Sequence, residues 1–418
     1  MTICRFNEYT EEIQEYKLIK GFTYAGETLL TAECDAELAA RKQISDRADL
    51  ATVILPEGTG EIGAEAFIYS PDSAPHTKIA VSEIDEFAFE GCSAVTSAEI
   101  PDGVKSVGAY AFRDCSRLRR ASLPDSVNSI GAYAFSGCSS LRSVSLPARL
   151  AEIHEGTFAG CVSLTAAALP AGVTEIGFDA FSGCRSLHTV LLPSSLRDIG
   201  FYAFENCSEL LSVTIPDGVT AIWPGAFTGC LRLTDIHLPP RLSGIKKSVF
   251  SGCRSLKRVT MPDAAASIEA FAFSGCSSLR EIALPSSLTF IGAYAFADCG
   301  SLQRIAIPNP AVQIDSAAFR GCSLLAEVRL PQGLKKIESS LFRDCVSLET
   351  LEIPEGVASI EPYAFAGCTG LRSVRLPGTL TDIKEGAFLN CCRLTCLDLP
   401  DSVTAISPSA FAKQCRTA

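Results

Sequence analysis

The sequence predicts a repeat solenoid, in which short parallel strands stack coil upon coil instead of forming separate globular cores. Three observations carry this reading. A cysteine recurs every 23 residues, from Cys92 through Cys115, Cys138, Cys161 and Cys184 to Cys391. A phenylalanine stands three residues before each one, from Phe89 to Phe388, and again at Phe411, where Gln414 takes the cysteine's place. A valine or leucine stands three residues after, from Val95 to Leu394. A chain of 418 residues would otherwise suggest two or three domains, but a repeat lengthens in one dimension without dividing.

Each part of the coil follows from spacing. The unit reads C-x-x-L-x-x-V-x-L-P-x-x-V-x-x-I-G-x-x-A-F, with Cys138 to Phe158 as one instance. Val144 and Leu146, two apart, point to one face of a strand, and Ser143 and Ser145 to the other. Pro147 ends the strand, because it has no amide to donate and restricts its neighbours. The A-F-x-x-C segment is too short for a full helix and suits a single helical or 3₁₀ turn that buries Ala and Phe. Such a turn cannot cover its own apolar edge, so successive units must stack. At about 4.8 Å per strand, about sixteen coils make a rod or arc of about 75 Å.

This pattern resembles the leucine-rich repeat, specifically its BspA-like bacterial class, carried here by "LRSVSLPARLAEIHEGTFAGC", Leu141 to Cys161. The resemblance covers about residues 50 to 411. It implies a right-handed arc with a parallel β-sheet on the concave face and short strands, 3₁₀ or helical turns elsewhere. It also implies a binding role, since relatives often act as surface adhesins for host or matrix proteins.

The expected organisation is a nonrepeat cap over 1–49, a repeat solenoid over 50–411 and a short tail over 412–418. "LATVILP", Leu50 to Pro56, opens the first coil. The next coil is irregular: it keeps Val81, Ile84 and Phe89 but loses the leucine and proline positions, so Ile68 to Thr77 reads as a bulging loop. Within the cap, "EYKLIKGFTYAGETLLTA" suits a hairpin and "AELAARKQISD" a short helix, closing the open end of the core.

Composition excludes several roles. A net charge of −11 argues against nucleic acid or an anionic membrane as the partner. No apolar run approaches the roughly 20 residues that span a bilayer. The first twenty residues lack a basic and an apolar region, so no signal peptide is expected. The chain as written reads as cytoplasmic, or as surface-bound or secreted if an export signal was trimmed. Nineteen cysteines, an odd number, suit a reducing compartment.

The cysteine column was open to four readings. Disulfides between neighbouring coils fail on direction, because stacked equivalents have parallel Cβ vectors. Zinc needs ligands converging from distinct directions, and a nucleophile needs a nearby base. Only His76, His154, His188 and His237 are available. The remaining reading is packing, a small soft side chain between Phe and Leu. Cys391, Cys392 and Cys396, with Cys4, Cys34 and Cys415, stand apart from that argument and read as drift, with a metal or redox role as the alternative. "GTGEIG", Gly58 to Gly63, matches a dinucleotide fingerprint but lacks the helix such a site requires. No cofactor or metal is expected, and no catalytic motif is present; the chain reads as a non-enzyme.

Two outward strand columns carry the informative variation. Charges alternate along Asp235, Arg258, Glu281, Arg304 and Glu327, and again along Arg329, Glu352, Arg375 and Asp398. Such ladders neutralise a sheet's own surface or present stripes to a partner. Between Ser143 and Thr214 the outward residues are small and uncharged, apart from Leu191. A flat strip of this kind is where a partner chain could approach. The candidate contact residues are therefore Thr189, Leu191, Ser212, Thr214, Trp223, Asp235 and His237, with Trp223 either an interface anchor or a residue packed over Pro224. The expected function is a protein-interaction scaffold with an unidentified protein partner. The alternatives are an adhesin-like binder and, third, a thiol- or metal-dependent activity at the off-column cysteines.

Overall fold

Strand, turn and corner follow one another in each coil as the sequence pattern requires. The computed structural model describes residues 2–6, 13–17, 23–24, 27–28, 52–54 and 83–411 other than 94 and 101. Gly58 to Gly63, Ile68 to Thr77, His76, the expected helix in 36–46, Cys34, Cys415 and the tail 412–418 lie outside the described residues. The chain forms two units, Met1–Leu210 and Leu211–Ala418, built on the same coil.

In the first unit, Thr2–Phe6 pairs antiparallel with Ile13–Lys17, and Thr23–Tyr24 with Glu27–Thr28, the second within the expected hairpin segment. The repeat strands are all parallel. Thr52–Ile54, Ser97–Glu99, Arg120–Ser122 and Ser143–Ser145 form one sheet, and Ala166–Ala168 pairs with Thr189–Leu191. Thr52 stands opposite Ser97, nearly two periods on. A second, shorter strand column follows the proline turn and includes Ser106–Val107, Ser129–Ile130, Glu175–Ile176 and Asp198–Ile199. The second unit repeats both columns, with Asp235–His237 against Arg258–Thr260 in the first and Gly244–Ile245 against Ser267–Ile268 in the second.

Proline closes the strand by a reverse turn: the Val127 amide donates to the Pro124 carbonyl at 3.0 Å, and Val173 to Pro170 at 3.1 Å. The apolar positions fill the interior. Phe135, Cys138, Leu141, Phe158, Cys161 and Leu164 are fully buried. The phenylalanine rings stack nearly parallel, with centroids 5.2 Å apart for Phe112–Phe135 and 5.5 Å for Phe250–Phe273, the offset arrangement that aromatic quadrupoles prefer.

The A-F-x-x-C corner differs from the expected helical turn. Among the described residues it is a run of turns with no α- or 3₁₀-helix. The reason is that its amides alternate between two acceptors. Ala134, Ser136 and Cys138 donate three residues back, to Gly131, Tyr133 and Phe135. Tyr133, Phe135 and Gly137 instead donate to Glu155, Thr157 and Ala159 of the next coil, at 2.7–2.9 Å. A helix would need every amide to point back along its own segment. The alternation also demands two left-handed residues per corner. Tyr133 takes φ 57° and Gly137 φ 71°, and where glycine is replaced the position holds Asp114 or Asn206, residue types that tolerate this conformation.

Candidate interaction surface

From Cys115 to Cys391 the cysteine column is buried as packing requires, and its thiols also act as donors. The Cys161 Sγ donates to the Phe135 carbonyl at 3.1 Å, and Cys138 to Phe112 at 3.0 Å. The same Phe135 carbonyl accepts the Cys138 amide at 3.2 Å, so both of its lone pairs are used. Each thiol thus ties its coil to the one before. Burial pushes the thiol pKa up along the column, to about 12 at Cys253 and Cys391, which leaves these sulfurs protonated and poor nucleophiles. The sequence revealed the burial but not the hydrogen bond, because spacing alone does not say where a carbonyl points.

Off the column, Cys396 is a free, exposed thiol, whereas Cys392 is disulfide-bonded. This corrects the reading of Cys392 as drift. The directional argument against disulfides concerned the inward column, and Cys392 stands one residue past it, half-exposed in the corner. A depression beside it is lined by Arg372, Arg393 and Thr395. Among the described residues no group of three or more His, Cys, Asp or Glu side chains is placed to hold a metal, and no helix is long and apolar enough to cross a membrane.

The strand faces place the candidate residues as follows. In the first unit Thr189 and Leu191 both point outward from one strand, opposite Ala166 and Ala168. Leu191 is 67% exposed, the highest value among the exposed large apolar side chains. In the second unit Ser212 and Thr214 are exposed, and Asp235 and His237 face outward opposite Arg258 and Thr260. The Arg258 guanidinium donates to Asp235 at 2.6 Å and holds that carboxyl below the usual carboxylate range; the Asp235 charge is already matched within its own sheet. Trp223, 40% exposed, follows the strand Ala221–Ile222 of the second column. It therefore sits at a corner, apart from the outward strand face.

The alternating charges resolve into separate pairs. Arg304 reaches Glu281 at 2.7 Å and Arg375 reaches Glu352 at 3.1 Å, while Arg329 turns to Glu327 on its own strand at 3.5 Å. All are exposed, so water and salt screen them and each contributes little to stability.

A 23-residue coil with a parallel strand, a proline turn and a phenylalanine-lined corner is the architecture of a leucine-rich repeat protein. The chain belongs to the BspA type leucine-rich repeat family, whose pattern matches residues 82–211, 151–274, 197–312 and 289–417. Among solved structures it is similar to a leucine-rich repeat protein from Bacteroides ovatus. The two are 26% identical with a TM-score of 0.68, over 99% of this chain and 96% of that one. It is also similar to a leucine rich cell surface protein from Faecalibacterium prausnitzii, at 28% identity and a TM-score of 0.49, over 86% of this chain and 90% of that one. No curated protein matches the chain. Proteins of this architecture are generally interaction or surface scaffolds.

Three exposed aromatics escaped the sequence reading: Phe178, Phe201 and Tyr202, each 37–39% exposed at the corner. Their signal was present in "GFDAF" and "GFYAF", where Phe178 and Phe201 occupy a corner position that holds alanine in "GAYAF".

Proposed function

We propose that the chain is a non-enzymatic scaffold that binds a protein partner through its outward strand face, with Thr189 and Leu191 as contacts in the first unit, Ser212, Thr214, Asp235 and His237 as contacts in the second, and Trp223 as a further contact at a corner of the second. The observation that carries this reading is Leu191, a large apolar side chain 67% exposed on a strand whose neighbours across the sheet are Ala166 and Ala168. Small uncharged neighbours let a partner backbone approach without desolvating charge. The test is affinity capture from the producing cells with wild-type protein and with the triple variant Leu191→Asp, Trp223→Ala, His237→Ala. A partner retained by the first and lost by the second supports the assignment, and an unchanged capture profile overturns it.

A second reading, an exported binder of host or matrix protein, is favoured by the disulfide at Cys392, because such bonds persist in oxidising compartments. Protease treatment of intact producing cells separates the two: digestion of the protein places it outside, and full protection removes this reading. We also infer that 1–49 caps a repeat region spanning 50–411, with 412–418 as a tail. The parallel pairing of Thr52–Ile54 with Ser97–Glu99 supports the start of the repeat there. Limited proteolysis that left 50–411 folded after loss of 1–49 would count against the cap.

A further inference from the structure

The rim of the strand face in the first unit carries a cluster of guanidinia that the fold itself does not neutralise. Arg119 and Arg142 precede their strands at the same point of consecutive coils, and the Arg142 amide donates to the Arg119 carbonyl at 3.1 Å. Arg120 opens the strand Arg120–Ser122 and stands opposite Ser143. Arg117 lies in the turn just before it, and all four residues are exposed. Among the described residues, none of these four arginines is held in an ion pair. Like charges at neighbouring positions of adjacent strands repel, a cost that one substitution in either coil would remove.

Elsewhere the chain matches such charges. Arg113, six residues before Arg119, reaches Glu90 at 3.5 Å and Asp114 at 3.4 Å. In the second unit the positions of Arg119 and Arg142 recur as Glu349 and Arg372, which pair at 3.7 Å. They recur also as Lys257 and Arg280, two cations, but there carboxylates are interleaved. Asp235 takes Arg258 at 2.6 Å and also feels Lys257, and Glu281 takes Arg304 at 2.7 Å. The cross-strand neighbours of Arg120 are instead Ser97 and Ser143, and Glu99 stands opposite Ser122 on the other outward column. Four positive charges thus collect within two coils of a chain whose net charge is −11.

We propose that this rim docks an acidic segment of a protein partner, an extended stretch with carboxylates on alternate residues running across the two coils. A guanidinium forks onto a carboxylate with two parallel hydrogen bonds, and binding removes the repulsion between Arg119 and Arg142. Alternate side chains of an extended segment repeat at about 6.6–6.8 Å and coils at about 4.8 Å, a difference that long arginine arms absorb. The small side chains of Ser122 and Ser143 leave room for the main chain of the segment. Charge favours a short segment over a long polyanion. The attraction of the cluster fades beyond a Debye length of about 8–10 Å. A polymer reaching past it meets an acidic chain, whose second strand column stacks Glu152, Glu175 and Asp198 in register.

The probe is a short rhodamine-labelled peptide of alternating glutamate and glycine, titrated against the full chain by anisotropy, with circular dichroism of each variant confirming that it stays folded. Arg119→Gln with Arg142→Gln is expected to weaken binding about tenfold, and adding Arg120→Gln to abolish it. Arg254→Gln with Arg280→Gln removes the same charge from exposed positions of the second unit and is expected to leave binding within twofold. Equal losses from the two double variants would mean that net charge alone holds the peptide and would overturn the proposal. Tighter binding of an oligothymidylate of equal charge, lost with the same arginines, would assign the rim to nucleic acid and would also overturn it. The substituted residues differ from those of the strand-face test, so the two readings fail separately.

Discussion

Raising the pH should unfold the second unit abruptly, and the buried thiols set where. A free cysteine in an unfolded chain titrates near 9.0, whereas Cys253, Cys276, Cys299, Cys322, Cys345, Cys368 and Cys391 are all held above that by burial. Between the unfolded and folded values the folded unit binds more protons than the unfolded one, so stability falls as pH rises. The thiol contribution is fully present below pH 9 and is lost on the way to 12. At pH 10 each thiol costs about 1–2 kcal/mol, and seven together cost about 10 kcal/mol, comparable with the whole stability of an ordinary domain. The first unit, with Cys115, Cys138, Cys161 and Cys184 raised in the same way, loses about 6 kcal/mol. The assay is iodoacetamide alkylation resolved by peptide mass spectrometry between pH 7.5 and 10.5, with circular dichroism followed in parallel. The buried column cysteines, from Cys115 to Cys391, should remain unlabelled until the dichroism signal collapses, then react together, whereas the exposed Cys396 labels throughout. Labelling of column cysteines that rises about tenfold per pH unit while the fold persists would refute the reasoning.

Other outcomes can be checked more simply. Non-reducing peptide mapping should find Cys392 in a disulfide and the column cysteines free; Cys415, one 23-residue period later in the sequence, is the first partner to look for. Phe273→Ala removes a fully buried ring stacked on both sides, at 5.5 and 5.4 Å. It should cost about 3–5 kcal/mol, read as lost hydrogen-exchange protection in the adjoining coils. Gly137→Ala puts a methyl group against the Asp114 carboxylate at φ 71° and should cost about 1–2 kcal/mol. Pairing it with Asp114→Gly should recover part of that loss in a thermal melt. Arg258→Ala removes an exposed pair with Asp235 and should change stability by less than about 1 kcal/mol.

The repeat, the strand triplet and the buried column were legible because they rest on periodicity, and a period of two or of 23 survives in the sequence whatever the corner does. Ser143, Val144 and Ser145 read correctly from alternation alone. The corner was less legible. Turn and helix bury Ala134 and Phe135 equally well, and only the destination of the Tyr133 and Phe135 amides separates them. That destination lies in another coil, beyond the reach of a local pattern. The charge ladders show the same limit: alternation predicted which residues would be neighbours, and side-chain length and rotamer decided that Arg329 turns to Glu327 on its own strand. Trp223 was legible as unusual, since it interrupts the glycine of "IG", but its place at a corner followed from the second strand column. The outward strip around Leu191 was legible from composition, whereas the aromatic corner at Phe178 rests on substitutions at a single corner position, which the period of two along the strand does not flag.

The alternating amides of the corner have a consequence for direction. Tyr133, Phe135 and Gly137 all donate forward to the following coil, and Tyr110, Phe112 and Asp114 do the same one layer earlier. In the backbone of the corner the two faces of a single coil are therefore unlike, one offering amide donors and the other carbonyl acceptors. Layers built this way can be added only head to tail, as bricks with studs on one side join only to the sockets of the next. A coil copied and inserted in the same sense finds its mates on both sides, whereas a reversed one meets donors with donors. Lengthening such a protein by duplicating 23 residues needs no new chemistry at the joint, which gives the fold a built-in grammar for growth.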